Sequence, residues 1–578
     1  MLTILLSWIF LSTILFITGD AVVLAYNKLC KQNEQYSSID RIILGLSFLI
    51  CPLSLWSLWL PSNHLFLFII ILFCLMYYLF YRNRINKIIY SAIVKLKSKP
   101  SSFYIFTSIF LFILLSAVSW EDGIFDSLFY HLQNIRWNEE YAIVPGLGNL
   151  DDHFAFNSNY LLASAIFTFR FLLGEAIYPL QSYFIMLLGI WILFELYSSK
   201  FEIKRAIILF AYMIFYILSI RFMLNTSTDI LPNLLVFYTV SKYILYPDSL
   251  NKNFLYALIL PAFVITCKLS MSAFLLLSVY LLIIYVKRKN YKPLFIAIIP
   301  ICTIIFWLIR NIIISGYLIY PLPEINLFSF DWQIPEYVAI LQKEFIHSIG
   351  YTYLKIALFQ QSTGFRDPIW MNYFITGVYI ITFAAILIFL FLLITKRKNT
   401  HQSIILLFVI LLLSLCLWFA SGPDLRFIPG IFCSFIVIGF TTLFTRYKTI
   451  YYVTSVFFCL FLITIGFWTS WRIYDRYKMI IRWETTREKR PFSSFLFKPY
   501  SYYHFYEALT TENIEDHYKR YELNNNIIIY ISTVSNFTYD KLPATVKMNN
   551  ASKLTNYECL EARGNSIQEG FRVKEKCR

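Results

Sequence analysis

Apolar residues in this chain gather into long runs broken by short polar stretches, and the runs recur from the first residues to about position 470. A helix needs about 20 mainly apolar residues to cross the hydrocarbon core of a bilayer. Runs of that kind lie at 2–26, 42–60, 65–81, 103–119, 177–197, 206–222, 230–246, 254–269, 271–286, 294–314, 372–394, 403–420, 428–445 and 451–470. They predict about fourteen crossings. Residues 159–174 are apolar but short and are interrupted by Arg170, which reads as a helix lying against the outer leaflet. No such run occurs after residue 470. The mixed polar tail, with its strand-like stretch Ile527–Ile531, is expected to form a small α/β domain. The fold class expected is an all-α polytopic membrane protein with a small C-terminal extracytoplasmic domain. Three parts are expected: N-terminal helices and a basic loop over 1–102, a transmembrane core over 103–470 with outer loops 120–158 and 315–371, and the tail domain 471–578.

Composition agrees. Charged residues make up 15% and hydrophobic ones 58%, against about 25% charged in an average soluble domain, so soluble and disordered classes are excluded. The net charge of +16 would suggest nucleic acid in a soluble chain. Here the cations sit between apolar runs: Arg82/Arg84/Lys87 with Lys95/Lys97/Lys99, Lys200/Lys204/Arg205, Lys287/Arg288/Lys289/Lys292, Lys396/Arg397/Lys398 and Arg446/Lys448. The positive-inside rule assigns these loops to the cytoplasm, leaves no role for nucleic acid, and places the N-terminus, the other loops and the tail outside. The first run lacks a positive leading region and a small-residue cleavage site, so it is expected to stay in place. The ten cysteines show no metal spacing. Cys559 and Cys577 share the tail, either as a disulfide or as two thiols.

The outer loops hold nearly all the unusual polar residues. In 120–158, apolar positions recur at helical spacing, and Asp122, Asp126 and Tyr130 are four apart and share a helix face, with His131 beside it. Glu121 and Asp122 are adjacent acids at the exit of the preceding crossing. A carboxylate in so apolar a helix is a candidate general base or cation ligand, whereas Glu139, Glu140 and Asp151 read as solvated acids. Elsewhere the choice is between plain and functional roles. Arg310, beside Asn311, either snorkels or holds a phosphate. Asp424 and Arg426 form either a weak local pair or a phosphate or sugar contact. Asp229 either caps a helix or binds a sugar hydroxyl, and Lys268 either snorkels or meets a phosphate.

Several motifs carry a resemblance. They are Asp126-Ser127-x-x-Tyr130-His131, Ile135-Arg136-Trp137, Val144 to Leu150, Phe156-Asn157-Ser158, Trp307-x-x-Arg310-Asn311, Asp331-Trp332, Pro423-Asp424-x-Arg426-Phe427 and Arg563 to Arg572. Together they resemble a bacterial group of multi-pass proteins of the same layout. The acidic first outer loop is similar to that of the GT-C superfamily of membrane glycosyltransferases. The resemblance implies a GT-C-like enzyme of the bacterial inner membrane, with its acidic loops and tail extracytoplasmic. It would move a sugar from a polyprenyl-phosphate-linked donor to a glycan, lipid or protein acceptor of the cell envelope. Asp126, Asp122 and Glu121 would be catalytic. Tyr130, His131, Arg136, Asn157, Asp229, Lys268, Arg310, Asn311, Asp424 and Arg426 would line the substrate site. A divalent cation, Mg²⁺ or Mn²⁺, would sit on Asp122 and Asp126. Many GT-C loops carry two adjacent acids where this chain has Asp126-Ser127. The alternatives are a transporter or flippase of lipid-linked saccharide, and a non-catalytic protein of envelope assembly.

Overall fold

The computed structural model describes residues 1–120, 126–220, 222, 226–359, 369–395, 401–444, 450–482, 492–499, 518–533, 538–546 and 557–577. Every one of the fourteen apolar runs falls on a helix. In chain order the helices are α1 (Leu2–Cys30), α2 (Ser38–Trp56), α3 (His64–Lys97), α4 (Ser101–Ser119), α5 (Leu132–Glu140), α6 (Asn159–Ala165), α7 (Arg170–Leu173), α8 (Pro179–Ser198), α9 (Ile203–Ser219) and α10 (Ile230–Leu245). Next come α11 (Ser249–Lys252), α12 (Phe254–Cys267), α13 (Leu276–Lys287), α14 (Ile298–Ser315), α15 (Glu336–Phe359), α16 (Ile369–Ile394), α17 (Gln402–Ser421), α18 (Pro429–Leu443) and α19 (Tyr451–Arg482). Among the described residues, 10 helices are long and apolar enough to cross a membrane. Three more that coincide with predicted crossings, α10, α12 and α18, are shorter apolar helices, and α9 opens on Lys204 and Arg205. The chain is a multi-pass helical membrane protein.

Small residues let the first two helices touch. A Cβ on Gly19 would lie 1.8 Å from the Arg41 carbonyl oxygen, and one on Gly45 2.0 Å from that of Leu15. Such close approach is how helices associate in lipid, where apolar burial gives little drive. Charges in the same region are paired internally. Asp20 accepts from Arg41 Nε (3.0 Å), Arg84 Nε (2.9 Å) and the Tyr77 hydroxyl (2.8 Å). Asp40, in the first turn of α2, holds Lys242 of α10 at 2.6 Å and the Tyr238 hydroxyl at 2.9 Å. The N-terminal helices thus share one core with α8, α10, α12 and α18.

The segment after residue 158 departs from expectation. Residues 159–165 do not lie at the surface: α6 is wholly buried and packs against α2, α5 and α12. Its capping residue ties it down inside the bundle, since Ser158 donates to the Cys267 carbonyl at 2.8 Å. Only α7 shows apolar side chains outward, at Phe171 and Leu172.

The start of the tail differs too. The last helix runs on to Arg482, and beyond it the described residues form strands and 3₁₀ turns, with no α-helix. Over the described residues the tail is a small strand domain. β1 (Tyr518–Glu522) pairs antiparallel with β2 (Ile528–Ser532), which pairs parallel with β3 (Ala544–Val546). β4 (Leu560–Ala562) and β5 (Phe571–Val573) form a second, antiparallel pair. A disulfide joins Cys559 to Cys577. The tail builds a second core jointly with the segments that precede α6 and α15, in which Phe571, Ile529 and Leu560 meet Trp137, Val144, Phe154 and Ile334. Main-chain bonds seat it: the Thr538 and Tyr539 amides donate to the Leu128 carbonyl and the Phe571 amide to that of Pro145.

Candidate functional site

Four distant stretches of chain meet at the end of the bundle that carries Asp229, the first residue before α10. The first stretch lies after α4. Ser127–His131 forms a π-helical turn directly ahead of α5. Its hydrogen bonds close five residues apart, which swings His131 round towards the side that carries Asp126. The second stretch, Thr226 to Asp229, receives it: the Thr226 carbonyl accepts from Ser127 Oγ at 2.8 Å and lies 2.7 Å from His131 Nδ1. A carbonyl can only accept, so Nδ1 carries the proton. Nε2 is then bare when the ring is neutral, and among the described residues it has no hydrogen-bond partner. Burial lowers the His131 pKa to about 4, against the pull of Asp126, the Thr226 carbonyl and Asp229, so the ring is neutral at pH 7.

The third stretch is the turn between α17 and α18. Arg426 Nε lies 2.9 Å from Asp424 Oδ2, and its NH1 lies 3.2 Å from Asp126 Oδ2, across 300 residues of sequence. Asp424 also accepts the Arg426 amide at 2.9 Å, which sets the turn. Burial works to raise the Asp126 carboxyl. The Arg426 guanidinium, with His131, His153 and Lys268 further off, outweighs it and leaves the group below its ordinary value. For Asp424 burial wins over Arg426, and its pKa is raised. The fourth stretch supplies Lys268, after α12, whose Nζ is 2.5 Å from Asp229 Oδ1. Asp229 makes no side-chain cap on α10; its carboxylate is spent on this pair. Both cations rest on the Phe427 ring, Lys268 at 4.4 Å and Arg426 at 5.0 Å.

Behind this cluster lies a second one. His153 Nδ1 is 3.1 Å from Asp151 and 3.2 Å from Asp152. The ligand atoms of the three residues lie within 4.8 Å of one another, the spacing of a metal site. Asp152 is fully buried, and neither of its oxygens receives a hydrogen bond among the described residues. Burial lowers the His153 pKa, but Asp152 and Asp151 outweigh it and push it up to about 10. Tyr130 joins the clusters, its ring 4.3 Å from that of His131 and 5.1 Å from that of His153.

The chain belongs to a known family. The family model that matches, over residues 1–433, is described as a domain of unknown function, DUF8201. The match covers α1 to α17 and the Asp424–Arg426 turn, and so takes in all four stretches of the charged cluster. No curated protein and no solved structure matches the chain.

The structure therefore brings together Asp126, Tyr130, His131, Asp229, Lys268, Asp424 and Arg426. It does not bring Arg310 into that charged group. Arg310 is 2% exposed, and its guanidinium binds Asn157 Oδ1 (3.2 Å), Asn138 Oδ1 (2.8 Å) and the Ser57 hydroxyl. It ties α2, α5 and α14 together through neutral oxygens. Asn311 and Asn157 serve the same scaffold, bonded to each other at 2.9 Å. Arg136 faces Glu140 at 2.6 Å and the Asp540 carbonyl at 2.8 Å, holding the tail. Glu121 and Asp122 lie outside the described residues. Half of the cation site expected on Asp122 and Asp126 lies outside the described residues; Asp126 itself is engaged by Arg426, and a ligand-spaced group stands at Asp151–His153.

Sequence reasoning misses two features. Asp151, Asp152 and His153 are legible as consecutive ligands, but adjacency on an exposed-looking loop reads as solvation. Asn233, one turn into α10, binds the Asp229 and Phe427 carbonyls (2.8 and 2.9 Å) and accepts the Gly430 amide (2.9 Å); an amide inside an apolar run is its signal.

The two imidazoles give opposite pH dependences. His131 falls from 6.5 to about 4, so its contribution to stability is complete above about pH 6.5 and shrinks as pH drops towards 4. His153 rises from 6.5 to about 10, so its contribution is complete below about pH 6.5 and shrinks as pH climbs towards 10. Thermal unfolding of the purified chain should peak near pH 6.5, with His131→Gln flattening the acid limb and His153→Gln the alkaline limb. Limbs unchanged in both variants would contradict these assignments.

Proposed function

We propose that the protein is a glycosyltransferase of GT-C-like architecture, with about fourteen crossings, its basic loops cytoplasmic and the charged cluster on the outer face of a bacterial inner membrane. The observation that carries this reading is the Asp126–Arg426–Asp424 bridge beside the Lys268–Asp229 pair: acids and cations from remote parts of the chain, gathered where a lipid-borne substrate can reach them. Asp126 and Arg426 keep 32% and 28% of their side-chain exposure, so the bridge is accessible.

The donor is a sugar on a polyprenyl phosphate or diphosphate. The acceptor is a hydroxyl of an envelope glycan, lipid or protein. The acceptor oxygen bonds to the anomeric carbon, the carbon–phosphate oxygen bond breaks, and the electron pair leaves on the phosphate. Asp126, held ionised, orients the acceptor hydroxyl, and its proton passes to Asp126 or to the bare Nε2 of His131. Arg426 and Lys268 face the charge growing on the leaving phosphate. The cluster of Asp126, Asp229 and Asp424 with Arg426 and Lys268 carries more acid than cation, so an incoming phosphate needs further positive charge. A divalent cation on Asp151, Asp152 and deprotonated His153 would supply it, and that donor set suits Mn²⁺ better than Mg²⁺.

Asp126→Asn, expressed at the normal level, should abolish the envelope glycan product in cells, read by carbohydrate analysis. Full retention of glycan synthesis removes Asp126 from the active role.

A further inference from the structure

At the opposite end of the bundle, α3 is too long for its task. Its 34 residues reach about 50 Å, against a hydrocarbon core of about 30 Å. The helix breaks at Tyr81, whose backbone (φ −119°, ψ 23°) is not helical, after about 18 residues of span. Past Tyr81 the helix changes character. Residues 82–99 carry Arg82, Arg84, Lys87, Lys95, Lys97 and Lys99, and no Asp or Glu occurs anywhere from Arg41 to Trp120. Ile89, Ile93 and Leu96 repeat at helical spacing and stand open to the surroundings at 43, 42 and 38% exposure, next to Tyr90 and Val94. A cationic helix with an uncovered apolar strip lies in a membrane interface.

The end of this helix forms one wall of a cavity of about 350 Å³. Lys95, Ser98 and Lys99 face Ser198, Ser199 and Arg205 from the corner between α8 and α9. Lys99 donates to the Ser198 hydroxyl and lies 4.2 Å from the centre of the Phe194 ring. Arg205 is 3.1 Å from Glu195, which also lines the cavity. Lys95 has no ion-pair partner among the described residues. Arg205 also pairs with Glu202, and three cations against two acids leave a net positive charge that makes a site for a phosphate oxyanion.

The geometry points to a binding site for the headgroup of an anionic phospholipid in the leaflet beside the basic loops. The headgroup phosphate sits between Lys95, Lys99 and Arg205, and the acyl chains lie along the strip of Ile89, Ile93 and Leu96. The strip is what selects a lipid over a soluble phosphate, because a soluble ion has no use for it. The site is remote from Asp126 and Arg426 and does not depend on the reaction proposed for them.

The test uses the full chain in detergent, with native mass spectrometry after exchange into phosphatidylglycerol or phosphatidylcholine. The wild type should retain phosphatidylglycerol in preference to phosphatidylcholine. Lys95→Gln with Lys99→Gln should cut that preference by about fivefold per lysine. Lys95→Arg with Lys99→Arg, which keeps the charge, should restore it, and Lys97→Gln, outside the cavity, should leave it intact. Equal retention of the two lipids, or full preference in the double glutamine variant, overturns the proposal. So does inorganic phosphate that competes the lipid off at millimolar concentration.

Discussion

Replacing Arg426 with Ala is expected to abolish product formation and to lower the stability of the protein. The guanidinium is shared by Asp126 and Asp424. Removing it leaves two carboxylates facing each other without a cation, next to Asp229. Breaking a fully buried pair costs about 3–5 kcal/mol. Arg426 keeps 28% of its side-chain exposure, so water takes back part of that cost and about 2 kcal/mol is expected. Asp126→Asn in the same background should return part of the loss, because it removes one of the stranded charges. The two substitutions are coupled, and a double-mutant cycle on thermal unfolding measures the coupling directly. Arg426→Lys should fold well yet work poorly, since a single ammonium cannot reach both acids with the geometry of a planar fork. Additive effects of Arg426→Ala and Asp126→Asn would mean that the bridge is not formed.

The second large effect belongs to the fold. Gly19→Val should prevent α1 and α2 from packing. The contact a Cβ would make at Gly19 is with main chain, 1.8 Å from the Arg41 carbonyl oxygen, so no side chain can swing aside to relieve it. Parting the helices also pulls Arg41 from Asp20, its 3.0 Å partner one residue on from Gly19. Overpacking of this kind costs about 3 kcal/mol, to which the loosened ion pair adds. Yield of monodisperse protein in mild detergent and the unfolding midpoint both report it. Gly377→Ala is the control, since a Cβ there meets nothing within 4 Å, and it should change neither.

Hydropathy makes most of the membrane helices legible because a crossing is a property of one segment: ten of the runs fall on helices long and apolar enough to cross by length and composition alone. The same logic fails at α6. An apolar run of seven residues looks identical whether it lies in lipid or inside protein, and only the partners of Ser158 and its neighbours decide. The tail is legible only in part for a related reason. A strand-like run such as Ile527–Ile531 shows its period, whereas β4 and β5 are too short to declare themselves, and their burial comes from Trp137, Val144, Phe154 and Ile334, far away in sequence.

The site is legible in part. Asp126, Asp424 and Arg426 stand out as charges in apolar or turn surroundings, and the 300-residue separation of Asp126 and Arg426 closes as a 3.2 Å contact. Arg310 has the same signal and a different fate. A lone guanidinium at a helix end does not announce whether its acceptors are phosphates or the amides of Asn157 and Asn138. The π-helical turn is invisible in the sequence, since four-residue spacing from Asp126 to Tyr130 fits an ordinary helix, and the turn is what brings His131 to the Thr226 carbonyl.

The most direct measurement is on purified full-length protein in proteoliposomes, supplied with radiolabelled polyprenyl-phosphate sugars and an envelope acceptor fraction. The account predicts release of free polyprenyl phosphate in step with label transferred to acceptor. Both should be lost in Asp126→Asn and in Arg426→Lys while the proteins remain folded. Labelled lipid-linked sugar that crosses the bilayer intact, or release that is equal in wild type and both variants, would contradict it.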